Sequence, residues 1–64
     1  MKEYRQTLSK YLKEHGIYQR KFAKDLGIQE GHLSKLIHGR ARITPSMGKL
    51  IEYLTEGEVP WPLS

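Results

Sequence analysis

Three histidines, seven carboxylates and eleven basic side chains are the groups of this 64-residue sequence that could carry chemistry. A zinc site would have to draw on His15, His32, His38 and carboxylates, but neither an HxxxH nor an HExxH spacing occurs. Cysteine is absent, so neither a thiolate ligand nor a disulfide is available. No Ser–His–acid set suggests itself, and a chain of this length hardly encloses a substrate pocket. Neither catalysis nor a metal nor a cofactor is expected. What remains is charge and hydrogen bonding. Residues 1–42 hold ten Lys and Arg against four Asp and Glu, whereas residues 43–64 hold one against three. A basic front and a mildly acidic rear fit a face turned toward a polyanion. A solvated, lysine-rich surface fits the same charges, so charge alone leaves both readings open.

Such side chains need a scaffold, and the apolar spacing predicts a helical one. From Glu3 to His15, the residues Tyr4, Leu8, Tyr11 and Leu12 recur at the 3.6-residue period. Gly16 ends that run as a glycine just past a helix does. Gln19 to Leu26 reads as a short helix with Phe22, Ala23 and Leu26 inward, broken by Gly27. A third helix, about Glu30 to His38, turns Leu33, Leu36 and Ile37 inward and closes at Gly39. After a loop over 39–43, Thr44 can cap and Pro45 can open a fourth helix. Met47, Leu50, Ile51 and Leu54 then make one apolar stripe, which Gly57 ends. No alternating run is long enough for a strand, and two prolines keep Glu58–Ser64 extended.

The expectation is an all-α domain of about four short helices over residues 1–57, followed by an extended Pro/Trp tail over 58–64. A chain this short buries only about 60% of its unfolded surface, so its stability should be on the order of 5 kcal/mol or less. No apolar run could span a bilayer, and the N-terminal MKEYRQ lacks the apolar stretch of a signal peptide. No membrane partner and a cytoplasmic location are therefore expected.

Within this scaffold, Gln19 to Leu36 has the spacing of a helix-turn-helix. Ala23 falls where two helices cross most closely, and a small side chain lets the backbones approach. Gly27, four residues on, falls in the tight turn, where glycine takes a positive φ without strain. Leu26, Ile28, Leu33 and Leu36 fill the wedge behind the turn. That geometry would project the start of the next helix outward, in a shape that fits the ~12 Å major groove of DNA. A generic helical hairpin shares part of the pattern.

The run Gln19-Arg-Lys-Phe-Ala-Lys-Asp-Leu-Gly-Ile28, continued by Leu33-Ser-Lys-Leu-Ile-His-Gly-Arg40, resembles the Cro and repressor helix-turn-helix proteins of lambda-type phages. The tail Glu58-Val-Pro-Trp-Pro62 is similar to the end of the Cro proteins, and the likeness covers roughly residues 4–62. The resemblance implies a lambda-repressor-like fold that binds near-palindromic double-stranded operator DNA as a homodimer and represses transcription in a bacterial host, at the nucleoid. Three positions depart from the pattern. Tyr18 stands where relatives often carry a Ser or Thr cap. Gly31 lies in the first turn of the recognition helix, either weakening it by roughly 1 kcal/mol relative to alanine or admitting the DNA closely. Thr44–Leu54 reads as helix where several Cro proteins form strands, which favours the all-helical members and puts a strand-based dimer in doubt.

Carried over residue by residue, the resemblance assigns base contacts to Gln29, Glu30, Gly31, Ser34 and Lys35. Gln29 suits paired hydrogen bonds to adenine and Lys35 suits guanine N7/O6. Glu30 could accept from cytosine N4 or simply favour the helix N-terminus through its dipole. Phosphate contacts fall to Gln19, Arg20, His32, His38, Arg40, Arg42 and Thr44, while His38 could equally pack over the end of its own helix. Lys21 and Lys24 enlarge the positive field. Trp61, with Val59 and Pro60, has two readings: it docks on its own small core, or it anchors a dimer partner. A recognition helix reads only about 4–5 base pairs, which argues for two subunits one turn apart. A protein-binding or antitoxin-like module on the same fold is the competing function; it would not need Gln19, Lys35, Arg40 and Arg42 on one face.

Overall fold

The computed structural model describes residues 2–62; Met1 of the expected domain and residues 63 and 64 of the expected tail lie outside the described residues. Four helices follow in order: α1 (Lys2–Glu14), α2 (Gln19–Leu26), α3 (Glu30–Ile37) and α4 (Pro45–Leu54), with no strand among the described residues. The all-α architecture read from the apolar period is the one observed.

Each helix buries the stripe its spacing dictates. α1 turns Tyr4, Leu8 and Leu12 inward, one every four residues, while Tyr11 is only half-buried. α2 contributes Phe22, Ala23 and Leu26, and α3 contributes Leu33, Leu36 and Ile37. Leu8, Leu33, Leu36 and Ile51 are fully enclosed where the helices meet. Ala23, 1% exposed, is the small residue the close crossing requires. Gly27 takes φ 78°, and the amides of Gly27 and Ile28 reach the carbonyls of Lys24 and Ala23 at 3.1 and 2.9 Å. The turn therefore satisfies the end of α2 in a conformation that suits glycine.

α4 departs from its expected stripe. Thr44 does cap it, its Oγ1 accepting the Met47 amide at 3.3 Å, with Pro45 in the first position. Ile51 is fully buried, but Leu50 is 37% exposed and Met47 and Leu54 are half-buried. The helix stops at Leu54, three residues before Gly57. Thr55 explains the early end. Fully buried, its hydroxyl donates to the Ile51 carbonyl at 2.8 Å and accepts the Val59 amide at 3.1 Å. Glu56 and Gly57 then both adopt positive φ, 54° and 84°, and reverse the chain.

The returning segment lies against α4. Val59 is fully buried and Trp61 is 6% exposed, its ring edge-on to Tyr4 at 5.3 Å between centroids. The Trp61 amide donates to Oε1 of Glu52 at 3.1 Å. Gly48 forms the bed of the indole: a Cβ built there would lie 2.6 Å from Trp61 Cζ3 and nearer still to two other ring atoms. The core thus gains an indole wedged between Tyr4 of α1 and Gly48 of α4.

Candidate nucleic-acid interface

α3 is the element to examine for a probe. With Leu33, Leu36 and Ile37 committed to the core, the residues left facing out are Glu30, Gly31, His32 and Lys35, with Ser34 half-buried at the edge. Gln29 is the N-cap residue of α3, in extended conformation and exposed, and its side chain makes no capping hydrogen bond. Its amide is therefore not spent on the helix end. Glu30 holds the first turn, where the helix dipole favours a carboxylate. Gly31 has open space around its Cα, so nothing within the chain demands glycine there.

At the N-terminal end of α3, an open hollow is lined by Tyr18, Gln19, Arg20, Lys21, Lys24, Asp25 and Glu30. It brings the first turn of α2 and the first residue of α3 to one surface. Tyr18 makes no side-chain cap to α2 and is 83% exposed, so the missing Ser/Thr cap has no substitute in its phenol. Lys21 pairs with Asp25 at 3.5 Å along α2, which spends part of its charge inside the helix. Among the described residues, Arg20, Lys24, Lys35, Arg40 and Arg42 enter no ion pair.

At the other end, the chain leaves α3 through a glycine turn at Gly39, φ 77°. The Lys35 carbonyl accepts the amides of Arg40 and Ala41 at 2.8 and 3.3 Å, which holds the exposed Arg40 and Arg42 close to the helix. Ile43, buried, pins the loop to the core. Thr44 is exposed at the start of α4, its hydroxyl engaged as the cap. His38 Nδ1 lies 2.9 Å from the carbonyl of Ser34, so the ring rests over the end of its own helix. His32 is exposed on the flank of α3, and His15 lies on the far side of the sequence pattern, 3.4 Å from Glu58.

The residues singled out as dimer contacts are distributed differently. Val59 and Trp61 belong to the chain's own core, and only Pro60 between them is exposed. Among the described residues the large exposed apolar side chains are instead Tyr53, 78% exposed, and Leu50, both on α4, besides Tyr18.

One positioning residue escaped sequence reading. Arg5 donates from one guanidinium nitrogen to the carbonyls of Leu36 and Ala41, the latter at 3.1 Å. It thereby ties α1 to the end of α3 and to the loop that carries Arg40. The available signal was its place beside the apolar stripe, three residues before Leu8 and seven before Leu12. Among the described residues no cluster of three or more His, Asp or Glu is poised to hold a metal, and no helix is long and apolar enough to cross a membrane.

Comparison with known proteins adds one finding: the model of the Cro/C1-type HTH DNA-binding domain matches residues 7–53. That span runs from the second turn of α1 to the last turn of α4 and includes the whole helix-turn-helix. No curated protein and no solved structure gives a significant match to the chain.

Proposed function

Since this chain belongs to the Cro/C1-type HTH DNA-binding domain family, we propose that it represses transcription by occupying, as a homodimer, a near-palindromic operator of the phage or prophage kind. The observation that carries this reading is the outward face of α3. Its exposed Gln29, Glu30, Gly31 and Lys35 are bracketed by Gln19 and Arg20 at one end and by Arg40 and Arg42 at the other. Gln29 and Lys35 offer donors suited to purine edges in the major groove, and the flanking arginines, unpaired among the described residues, offer charge to the two phosphate backbones.

A second copy is part of the proposal because one short helix reads too few base pairs for a usable site. With Val59 and Trp61 in the chain's own core, Leu50 and Tyr53 of α4 are the apolar surface that supports self-association. Lys49, Glu52 and Glu56 line the same hollow as Tyr53, a mix of signs suited to a two-fold contact in which each copy meets the other's opposite charge.

Selection of duplexes from random sequence tests the reading. The enriched site should hold two related half-sites about 34 Å apart. Gln29→Ala should lose roughly 1–3 kcal/mol at a single base pair of each half-site, whereas Arg40→Ala should flatten the salt dependence by about one unit and keep the preferred sequence. Failure to enrich any sequence would end the proposal.

A further inference from the structure

A second basic groove lies at the opposite end of α3 from the Tyr18–Glu30 hollow, and its α1 side falls outside the helix-turn-helix pattern. It is lined by Lys2, Arg5 and Gln6 of α1 and by Ile37, His38 and Gly39 at the close of α3. Arg5 is committed to the Leu36 and Ala41 carbonyls and so fixes the walls. Lys2 and Gln6 are exposed one turn apart on α1, and neither has a partner among the described residues.

We propose that this groove is a backbone-phosphate clamp in which Lys2, Gln6 and the protonated ring of His38 hold one phosphodiester of the bound duplex. The inference rests on the DNA-binding reading and adds to it a contact, on α1, outside the motif. Its geometry follows from the length of α3. Eight residues at 1.5 Å each make a helix about 12 Å long, the width of the major groove, so each end of α3 meets one strand. The hollow with Gln19 and Arg20 serves the strand at the Glu30 end; the groove with Lys2 and Gln6 serves the other.

His38 makes the clamp sensitive to pH. Its Nδ1 faces the Ser34 carbonyl at 2.9 Å, and a carbonyl oxygen only accepts, so Nδ1 carries a proton. In the neutral ring Nε2 is then a bare lone pair, which repels a phosphate oxygen. A second proton turns Nε2 into a charged donor while the Ser34 contact is kept. Lys2 and Arg5 of α1 share the groove with the ring, Lys35 and Arg40 stand three and two residues from it along the chain, and among the described residues no carboxylate lines the groove. Binding a phosphate therefore favours the protonated ring, and DNA affinity rises as pH falls.

The test uses the intact chain and the duplex recovered by selection, titrated over a salt series at pH 8.0 and pH 5.5. The wild type should bind about three- to fivefold tighter at pH 5.5, with a salt slope steeper by about 0.9. His38→Gln should remove that difference and His15→Gln, at a ring that lies against Glu58 and is assigned no DNA contact, should retain it. Lys2→Ala should flatten the slope by about 0.9 at both pH values without changing the preferred sequence. The ¹⁵N signal of His38 Nε2 gives an independent reading of the same proton and should shift to its protonated position on adding DNA at pH near 7. Wild-type slopes in both Lys2→Ala and His38→Gln, with DNA still bound, would overturn the clamp alone. A chain that binds no duplex at either pH would overturn the clamp together with the DNA reading.

Discussion

Gly48→Ala is a substitution for which helix propensity and packing predict opposite signs. Gly48 lies inside α4, where alanine would ordinarily be favoured by roughly 1 kcal/mol. In this chain the added methyl would enter the six-membered ring of Trp61. An indole buries roughly 150–250 Å², worth about 4–6 kcal/mol at about 25 cal/mol per Å², and that is an upper bound because the unfolded chain already covers part of it. The variant forfeits only a share, since the ring can lift while Glu52 and Thr55 still hold the tail backbone. Overpacking of this kind costs roughly 1–3 kcal/mol, so a net loss of up to about 2 kcal/mol remains after the propensity gain. For a domain of this size that lowers the thermal midpoint by up to roughly 15 °C. Thermal and urea unfolding should be followed by circular dichroism and by the fluorescence of Trp61, the sole tryptophan. In a Trp61→Ala background the clash is gone, and Gly48→Ala should become stabilising by up to about 1 kcal/mol. A higher midpoint for Gly48→Ala with Trp61 in place would refute the seating of the indole on α4.

Three further substitutions probe the scaffold. Arg5→Met should lower stability by about 1–2 kcal/mol, because two carbonyls lose a charged donor, and should weaken DNA binding as the end of α3 loosens; unchanged amide exchange at Arg40 and Ala41 would speak against the tie. Tyr4→Phe should be neutral or stabilising by up to about 1 kcal/mol at pH 7, since the buried hydroxyl has no partner among the described residues. Burial, and secondarily the Glu52 charge, pushes the Tyr4 phenol up to about 12. The unfolded phenol ionises from about pH 10, so the folded chain keeps its full stability below that and loses part of it toward pH 12, a loss the Phe variant should not show in alkaline unfolding curves. Gly27→Ala should destabilise by about 1–2 kcal/mol through its φ of 78° while leaving the preferred DNA sequence unaltered; a stabilised variant would contradict the left-handed turn.

How much of this was legible depended on the range of each interaction along the chain. The inward faces of α1, α2 and α3, the Gly27 turn and the Thr44 cap are set within four residues of one another, and local period and residue type mark them. α4 was read less well because the tail competes for its surface. Its stripe predicts Leu50 inward, yet Gly48 lies under the returning Trp61 and Leu50 is left partly exposed. Thr55 looks like an ordinary polar residue near a helix end. Only the folded chain shows its hydroxyl joining the Ile51 carbonyl to the Val59 amide and so ending the helix before Gly57.

The candidate site divides in the same way. The outward residues of α3 follow from subtraction: whatever the core does not take from a short amphipathic helix is left for a partner, so Gln29, Glu30, Gly31 and Lys35 could be named from the sequence. What holds that face in place could not. Arg5 reaches carbonyls 31 and 36 residues away, and such a contact leaves no periodic trace. A basic residue beside an apolar stripe reads as one more solvated charge until the fold shows bare carbonyls within its reach. The chain therefore advertises its candidate surface locally and hides the brace behind it in long-range contacts. If that division is real, substitutions on the outer face of α3 will change which sequence is bound at nearly constant stability, whereas Arg5→Met will lower stability and binding together for every sequence.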